Sequence, residues 1–307
     1  MKSDISLLFR SLYTIMIIGF GMSMISCIHI SRIPAWKQPP VKREAGNSKA
    51  LMAQAEALIK EADNKEKTES LLRAFESVIR SDPDNRRALE EAATYSILLA
   101  TGYTEDLEEK AALYQKAIWY SELSMYQNPE FRKFVDGGGE VWDGAKFLNK
   151  EDSYAMGWWT TAVFYYYREA LGKFSKIVNF EWIRRARALM TRIEEVDPDW
   201  EGGGNYFSWG IYYLALPEDV GGDMEKSLEY LKKGIMVEPG RLVHRWGRAK
   251  YYYAKLENRE GFIQDLEWVI EQDPHGPGNP FPWNVYFQKQ AKEMLDHPDD
   301  YLGQSDT

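Results

Sequence analysis

A pair of helices closed by a proline recurs along this chain, and this unit constrains the fold more than any other feature. The clearest copy spans 205–239, where apolar spacing predicts one helix over 205–216, ended by Pro217, and a second helix before Pro239. The second helix carries an apolar stripe with spacings of 4, 3 and 4, formed by Met224, Leu228, Leu231 and Ile235. Because one helix pair cannot bury such a stripe alone, the unit needs neighbours of the same kind.

The same pattern precedes five prolines, with small or apolar residues 12, 8 and 5 positions before each of them. These prolines are Pro83, Pro129, Pro198, Pro239 and Pro274. The pattern resembles the second helix of a tetratricopeptide repeat, but only the last two prolines come near the ideal period of about 34 residues. The sequence therefore predicts an all-α fold of degenerate tetratricopeptide-like repeats over 49–297, with a polar tail at 298–307. This α-solenoid would contain glycine-rich insertions and end in a C-terminal capping helix.

Apolar periodicity and turn residues predict where the other helices lie. The predicted ranges are 48–63, 66–81, 86–101, 106–127, 154–172, 180–195, 241–257, 259–272 and 284–296. Asn85 and Thr104 are the predicted N-caps of two of these helices, and Asp223 is the predicted N-cap of the helix that ends before Pro239.

The first 26 residues have the character of a targeting segment rather than of a folded domain. An apolar run leads to Cys27, the only cysteine of the chain, so no internal disulfide can form. This arrangement resembles a bacterial lipoprotein signal, which predicts a signal peptide at 1–26, an acylated Cys27 and a lipidated tether over 27–48. Two alternatives remain: a single membrane-spanning anchor at 11–28, and a cleaved secretory signal with an incidental cysteine.

Composition argues against several classes of function. The formal charge is −9, and no basic stripe is present, so nucleic acid or anionic lipid is not expected as the main ligand. The four histidines are scattered without metal-ligand spacing, and no cofactor or catalytic motif is found. We therefore predict a protein that is not an enzyme. A hydrolase that uses two carboxylates stays open as an alternative, because acidic residues are plentiful.

Aromatic residues concentrate in the predicted helices 154–172 and 205–216, and each of these helices follows a segment with three consecutive glycines, 137–139 and 202–204. Such rings can be packed in the core, or they can line a ligand cavity with a partly wet wall. The second interpretation makes five aromatic residues candidates for ligand binding: Trp158, Trp159, Tyr166, Trp209 and Tyr213.

The stretches Gly137–Trp142, Trp209–Pro217 and Gly221–Ser227, together with the lipoprotein-like start, resemble the T-component of TRAP transporters. The resemblance implies a lipid-anchored protein of the bacterial envelope that faces the periplasm. It also implies an all-α fold, association with a periplasmic substrate-binding protein, and a tendency to form trimers with a pore or cavity for hydrophobic ligands. The loop residues Gly221, Gly222 and Asp223 are the candidates for the partner contact.

Three functions therefore compete at the level of sequence. The first is an accessory lipoprotein of a solute-uptake system, and an apolar cavity would favour it. The second is a lipid-anchored scaffold for envelope assembly, and an open concave groove would favour it. The third is an envelope hydrolase, and two facing carboxylates in a cleft would favour it.

Overall fold

The computed structural model describes residue 30 and residues 32–303, and in this part of the chain it contains fourteen α-helices and no strand. The helices are α1 (Ser48–Ile59), α2 (Lys65–Ser81), α3 (Arg86–Tyr103), α4 (Leu107–Met125), α5 (Pro129–Asp136), α6 (Val141–Gly144), α7 (Ser153–Tyr165), α8 (Lys173–Val178), α9 (Glu181–Val196), α10 (Trp200–Ala215), α11 (Met224–Val237), α12 (Leu242–Gly247), α13 (Arg259–Glu271) and α14 (Phe281–Asp296). The predicted all-α repeat fold is confirmed. The predicted signal peptide and Cys27 lie outside the described residues.

Consecutive helices pack as pairs, with α1 to α4 in series and α10 on α11, while α7 packs on both α4 and α9. The residues 12, 8 and 5 positions before each closing proline explain this packing, because all fifteen of them are buried. They are Leu71, Phe75, Val78, Ala117, Ser121, Ser124, Ala186, Met190, Ile193, Ser227, Leu231, Gly234, Phe262, Leu266 and Val269. The sequence pattern therefore marks the face of each helix that contacts its neighbours. Within the described residues, no helix is both long enough and apolar enough to cross a membrane.

Side-chain caps set the starts of several helices. The Asn85 side chain accepts a hydrogen bond from the Ala88 backbone N–H at 3.0 Å, as the sequence predicted. The prediction for Thr104 is wrong, because Asp106 caps α4 by accepting from the Glu109 backbone N–H at 2.8 Å. The Thr104 hydroxyl instead donates to the Glu109 carboxylate.

Two predicted helices contain a segment of π-helix that the sequence did not indicate. The helix predicted over 154–172 is α-helical to Tyr165 and continues as a π-helix from Tyr166 to Ala170. The helix predicted over 241–257 changes after Gly247 to a π-helix at Arg248–Tyr253. The wider turn changes the direction of the side chains that follow it, and such segments often lie at functional sites.

Three short helices, α5, α6 and α8, occupy stretches for which the sequence predicted no helix. Pro129 favours the start of α5, because proline is well suited to the first position of a helix. Proline can therefore begin a helix as well as follow one. Asn128 caps α5 by accepting from the Glu130 and Phe131 backbone N–H groups. One of the five closing prolines is therefore also the first residue of the next helix.

Part of the predicted tether lies against the helices. The Arg32 guanidinium forms an ion pair with Glu122, a fully buried carboxylate of α4, and the Ala35 backbone N–H donates to the same carboxylate at 2.9 Å. The Trp36 ring stacks on Tyr126 with ring centroids 6.0 Å apart. These contacts fix the path of the chain at the start of the domain.

Candidate functional site

A cavity of about 440 Å³ lies between α3, α7, α10, α12 and α14, that is, between the first and last parts of the repeat domain. Nine aromatic rings line it: Tyr154, Trp158, Phe164, Tyr165, Trp200, Phe207, Tyr251, Trp283 and Phe287. Thr94, Thr161, Ser208 and Asn279 add polar atoms. Six charged residues also reach this wall: Arg87, Glu90, Glu91, Arg168, Glu201 and Arg241. A cavity of this size with an aromatic wall and several polar groups can hold a small, mainly apolar molecule.

Trp158 connects α7 to both α10 and α14 at this cavity. It stacks on Trp283 of α14 with ring centroids 6.2 Å and planes 10° apart. It also meets Trp200 of α10 edge to face at 5.9 Å. Gly157 makes the second contact possible, because a Cβ atom there would lie 2.1 Å from the Trp200 ring.

The structure places Trp158 at the cavity and the other four predicted ligand residues elsewhere. Trp159 is fully buried, and its Nε1–H donates to Glu122 at 3.1 Å. The hydroxyl of Tyr166 accepts from Gln115 at 3.1 Å. Trp209 and Tyr213 stack on each other in a separate cluster with Tyr230. These four rings pack between helices.

Helical geometry explains this division. The cavity face of α7 and of the π-helix that follows it consists of Tyr154, Trp158, Thr161, Tyr165 and Arg168, at alternating spacings of 4 and 3. Each residue one position further along, such as Trp159, is rotated by about 100° and faces the core. Because both faces are aromatic, hydrophobicity alone could not assign a ring to one of them.

The two π-helical segments meet at the cavity wall. The first places Arg168 there and the second places Tyr251, and the Arg168 guanidinium carbon lies 4.7 Å from the Tyr251 ring centroid and 4.8 Å from that of Tyr165. Arg168 also donates to the Glu169 carboxylate at 2.7 Å. The cation is thus held between two rings and a carboxylate, in positions that cation–π attraction favours.

Glu169 connects this arginine to α4. Its carboxylate accepts from the Tyr114 hydroxyl and lies 3.6 Å from the Lys110 Nζ. Burial alone would raise the pKa of Glu169, but Arg168, Tyr114 and Lys110 together outweigh burial and lower it. Glu169 is therefore ionised at neutral pH and keeps Arg168 in place.

The start of α10 forms another part of the wall, with an unusual backbone. Glu201, Gly202 and Gly203 all have positive φ, at 51°, 57° and 88°. The Glu201 carboxylate forms an ion pair with Arg241, and Arg241 also reaches Glu238 at 3.1 Å. Gly202 and Gly204 line the cavity, whereas no residue of 137–139 does.

His244 also contacts the backbone turn at 201–203. Its Nε2–H donates to the Gly202 carbonyl oxygen at 2.8 Å. Burial lowers the pKa of His244 to about 4, and the positive charge of Arg241 acts in the same direction. The imidazole is therefore neutral at physiological pH.

Two acidic residues of α3 face the cavity. Glu91 is paired with Arg87 at 2.5 Å, whereas among the described residues Glu90 has no ion pair and accepts from the Ser124 hydroxyl, at 3.1 Å. Burial raises the pKa of Glu90 to about 7, despite the opposing effects of Ser124, Arg86 and Arg87. Glu90 can therefore gain or lose a proton near neutral pH.

The sequence did not single out Glu90, Arg168, Glu201 or Arg241. For Arg168 a signal existed, because it is the first charge after the fifteen uncharged residues 153–167. The other three stand among many charged residues, and nothing in the local sequence distinguishes them. The described residues contain no cluster of histidine and carboxylate side chains that could hold a metal ion.

The three residues predicted to contact a partner lie in the loop that joins α10 to α11. Gly221 has φ 105°, which reverses the chain, and the Gly222 backbone N–H donates to the Pro217 carbonyl at 2.8 Å. Asp223 caps α11 by accepting from the Lys226 backbone N–H at 2.9 Å, which confirms the predicted cap. The loop is at the surface, with Val220 half exposed.

Comparison with known proteins gives the family of the chain. No curated protein matches the sequence. Among solved structures, residues 1–338 of an assembly chaperone of RpL4 (Acl4) align over 83% of this chain and 99% of that one, with 12% identity and a TM-score of 0.34. The family model for the TRAP transporter T-component matches residues 64–302, which include all the helices from α2 to α14. The chain therefore belongs to the TRAP transporter T-component family and is an accessory component of that kind of transport system.

Proposed function

We propose that this protein is a lipid-anchored accessory protein of the bacterial envelope that faces the periplasm, binds a hydrophobic ligand and contacts a periplasmic substrate-binding protein. The observation that carries the proposal is the cavity with nine aromatic rings in its wall. Of the functions considered from sequence, a ligand cavity favours an accessory protein of solute uptake over a scaffold for envelope assembly.

The distribution of charge supports binding of an apolar molecule. Arg168 and Arg241 are each paired with a carboxylate, and Glu91 is paired with Arg87. Because these charges neutralise each other in pairs, the wall does not present a strong field of one sign. The ligand therefore needs no net charge to enter.

The same pairing favours a role other than catalysis. A two-carboxylate hydrolase needs one carboxylate as an acid and another as a base or nucleophile. Of the three wall glutamates, Glu91 and Glu201 form ion pairs with arginines, and Glu90 has no ion pair within the part of the chain that the structure describes. We therefore favour a binding protein over an envelope hydrolase.

The ligand proposal is tested by photo-crosslinking. The full-length protein is illuminated with a diazirine-bearing long-chain fatty acid, and the modified peptides are identified by mass spectrometry. We expect labels on α7 and α10, and we expect Ser208→Trp, which fills the cavity, to abolish them. Ser77→Trp is the matched control, because Ser77 and Ser208 both lie on helices and both donate to the carbonyl four residues earlier, but Ser77 is outside the cavity wall. Equal labelling of both variants would contradict the proposal.

The partner proposal is tested by crosslinking in the protein's own envelope, followed by purification and mass spectrometry. We expect recovery of a TRAP-type substrate-binding protein, and we expect Val220→Lys in the partner loop to reduce it. Met236→Lys is the control, because Met236 is also apolar and is more exposed than Val220, but lies on α11 outside the loop. Crosslinks between three copies of the chain would support the expected trimer.

A further inference from the structure

A patch of apolar side chains is exposed on the short helix α8. Phe174 is 79% exposed, Ile177 73% and Val178 40%, so three large apolar residues within five positions face solvent. The described residues show no other such concentration, because the remaining large exposed apolar side chains are single or in pairs. Isolated exposed apolar residues are ordinary, but a group of this kind marks a surface that contacts something else.

The start of the described chain lies directly beside this patch. The Ile30 backbone N–H donates to the Asn179 Oδ1 at 2.8 Å, and Asn179 is the residue that follows α8. Asn179 is buried, and its Nδ2 donates to the Ser175 carbonyl at 2.8 Å, so this attachment is fixed to α8 itself. Ile30 lies only three positions after Cys27 in the sequence, and three residues span at most about 11 Å.

The charges of α8 itself have one sign. Lys173 and Lys176 belong to the same helix, which contains no acidic residue, although the whole chain has a formal charge of −9. Ile33, which is 63% exposed, adds a fourth apolar side chain three residues after Ile30. Apolar side chains flanked by lysines are the combination that binds at the interface of an anionic bilayer.

The geometry points to a membrane-contact surface formed by Ile33, Phe174, Ile177 and Val178, with Lys173 and Lys176 facing lipid headgroups. This inference rests on the lipid anchor at Cys27 in the proposed function, since the anchor brings the patch to the bilayer. The apolar side chains enter the interface beside the acyl chains, and the lysines attract anionic headgroups. The protein is then held at two places, so that its domain has a defined orientation relative to the membrane instead of rotating about a flexible tether.

The test uses the full-length acylated protein in vesicles of phosphatidylethanolamine and phosphatidylglycerol. Because acylation occupies the Cys27 thiol, Ile177→Cys introduces the only free thiol for an environment-sensitive fluorophore. We expect a blue-shifted emission and quenching by lipids brominated near the headgroup. Met236→Cys is the matched control, because Met236 is 79% exposed, like Phe174, but lies on α11, and its label is expected to stay in water.

The outcomes separate this inference from the anchor. Flotation with the vesicles, but identical emission from the two labels, would overturn the contact surface and leave the anchor intact. Failure of the protein to float would overturn both. A blue shift of the Ile177 label in the Cys27→Ser form without vesicles would assign the patch to contact between copies of the chain and overturn the inference. In the acylated protein, Lys173→Glu with Lys176→Glu is expected to reduce the quenching at Ile177, and unchanged quenching would contradict the role of the lysines.

Discussion

The indole ring of Trp158 lies parallel to that of Trp283, with the ring centroids 6.2 Å apart. This contact joins α7, in the middle of the chain, to the last helix, and it closes one side of the cavity. Trp159, the next residue, points into the core and donates to the buried Glu122. Two adjacent tryptophans therefore have different roles, and they can be tested against each other.

We expect Trp159→Ala to lower the free energy of unfolding by about 3–5 kcal/mol, because it leaves a large void and removes a partner of Glu122. Trp158→Ala should cost less, because part of its ring faces the cavity, but it should change crosslinking of the diazirine fatty acid. Chemical denaturation and crosslinking of both variants provide the comparison. Equal losses of stability with unchanged crosslinking would show that both rings serve only as core.

Glu90 predicts a dependence of stability on pH. Its pKa is raised from 4.5 to about 7 in the folded state, so the folded protein binds the proton more tightly than the unfolded chain does. The stability that this group contributes is therefore fully present below about pH 4.5 and is lost as the pH rises through about 7. A shift of this size corresponds to at most about 3 kcal/mol.

Glu90→Gln should remove this dependence, since glutamine keeps the shape of the protonated side chain. We expect the variant to gain stability relative to the wild type at pH 8 and to show little difference at pH 4.5, as measured by urea denaturation. Glu229→Gln on the exposed face of α11 is the control and should have a small effect at both values. If the free energy of unfolding changes with pH in the same way in the wild type and in Glu90→Gln, this role of Glu90 is excluded.

The positive φ of Gly203 predicts a strict requirement for glycine. At φ 88°, a Cβ atom would lie 3.0 Å from the Gly234 Cα of α11, so Gly203→Ala combines backbone strain with a close contact. We expect a loss of about 1–3 kcal/mol in the free energy of unfolding. Gly240→Ala is the control, because a Cβ atom there would meet nothing within 4 Å. Similar melting temperatures for the two variants would refute the requirement.

The predicted anchor is tested directly at Cys27. We expect cells given a radioactive fatty acid to label the wild-type protein and to leave Cys27→Ser unlabelled, because the thiol is the site of acylation. The protein is isolated and its radioactivity is measured after electrophoresis. Equal labelling of the two forms would show that the apolar run before Cys27 serves another purpose.

The sequence by itself determined the class of fold and much of its packing. The positions before Pro83, Pro129, Pro198, Pro239 and Pro274 are buried because helical periodicity places them on one face, and periodicity is visible in a sequence. The caps at Asn85 and Asp223 were predictable for a similar reason, since a cap depends on residues within one turn. Thr104 was mistaken for a cap because Asp106, two residues later, competes for the same role.

Only the tertiary structure decided which rings form the cavity. Trp158 and Trp159 are equally apolar and adjacent, so their assignment to wall and core depends on the rotation of α7 relative to α4 and α14. The pairing of Arg241 with Glu201 and the proximity of Arg168 to Tyr251 join residues 40 and 83 positions apart, and no local pattern encodes such distances. The two π-helical segments place Arg168 and Tyr251 at the same wall, and this contact exists only once the two segments are brought together in the folded chain.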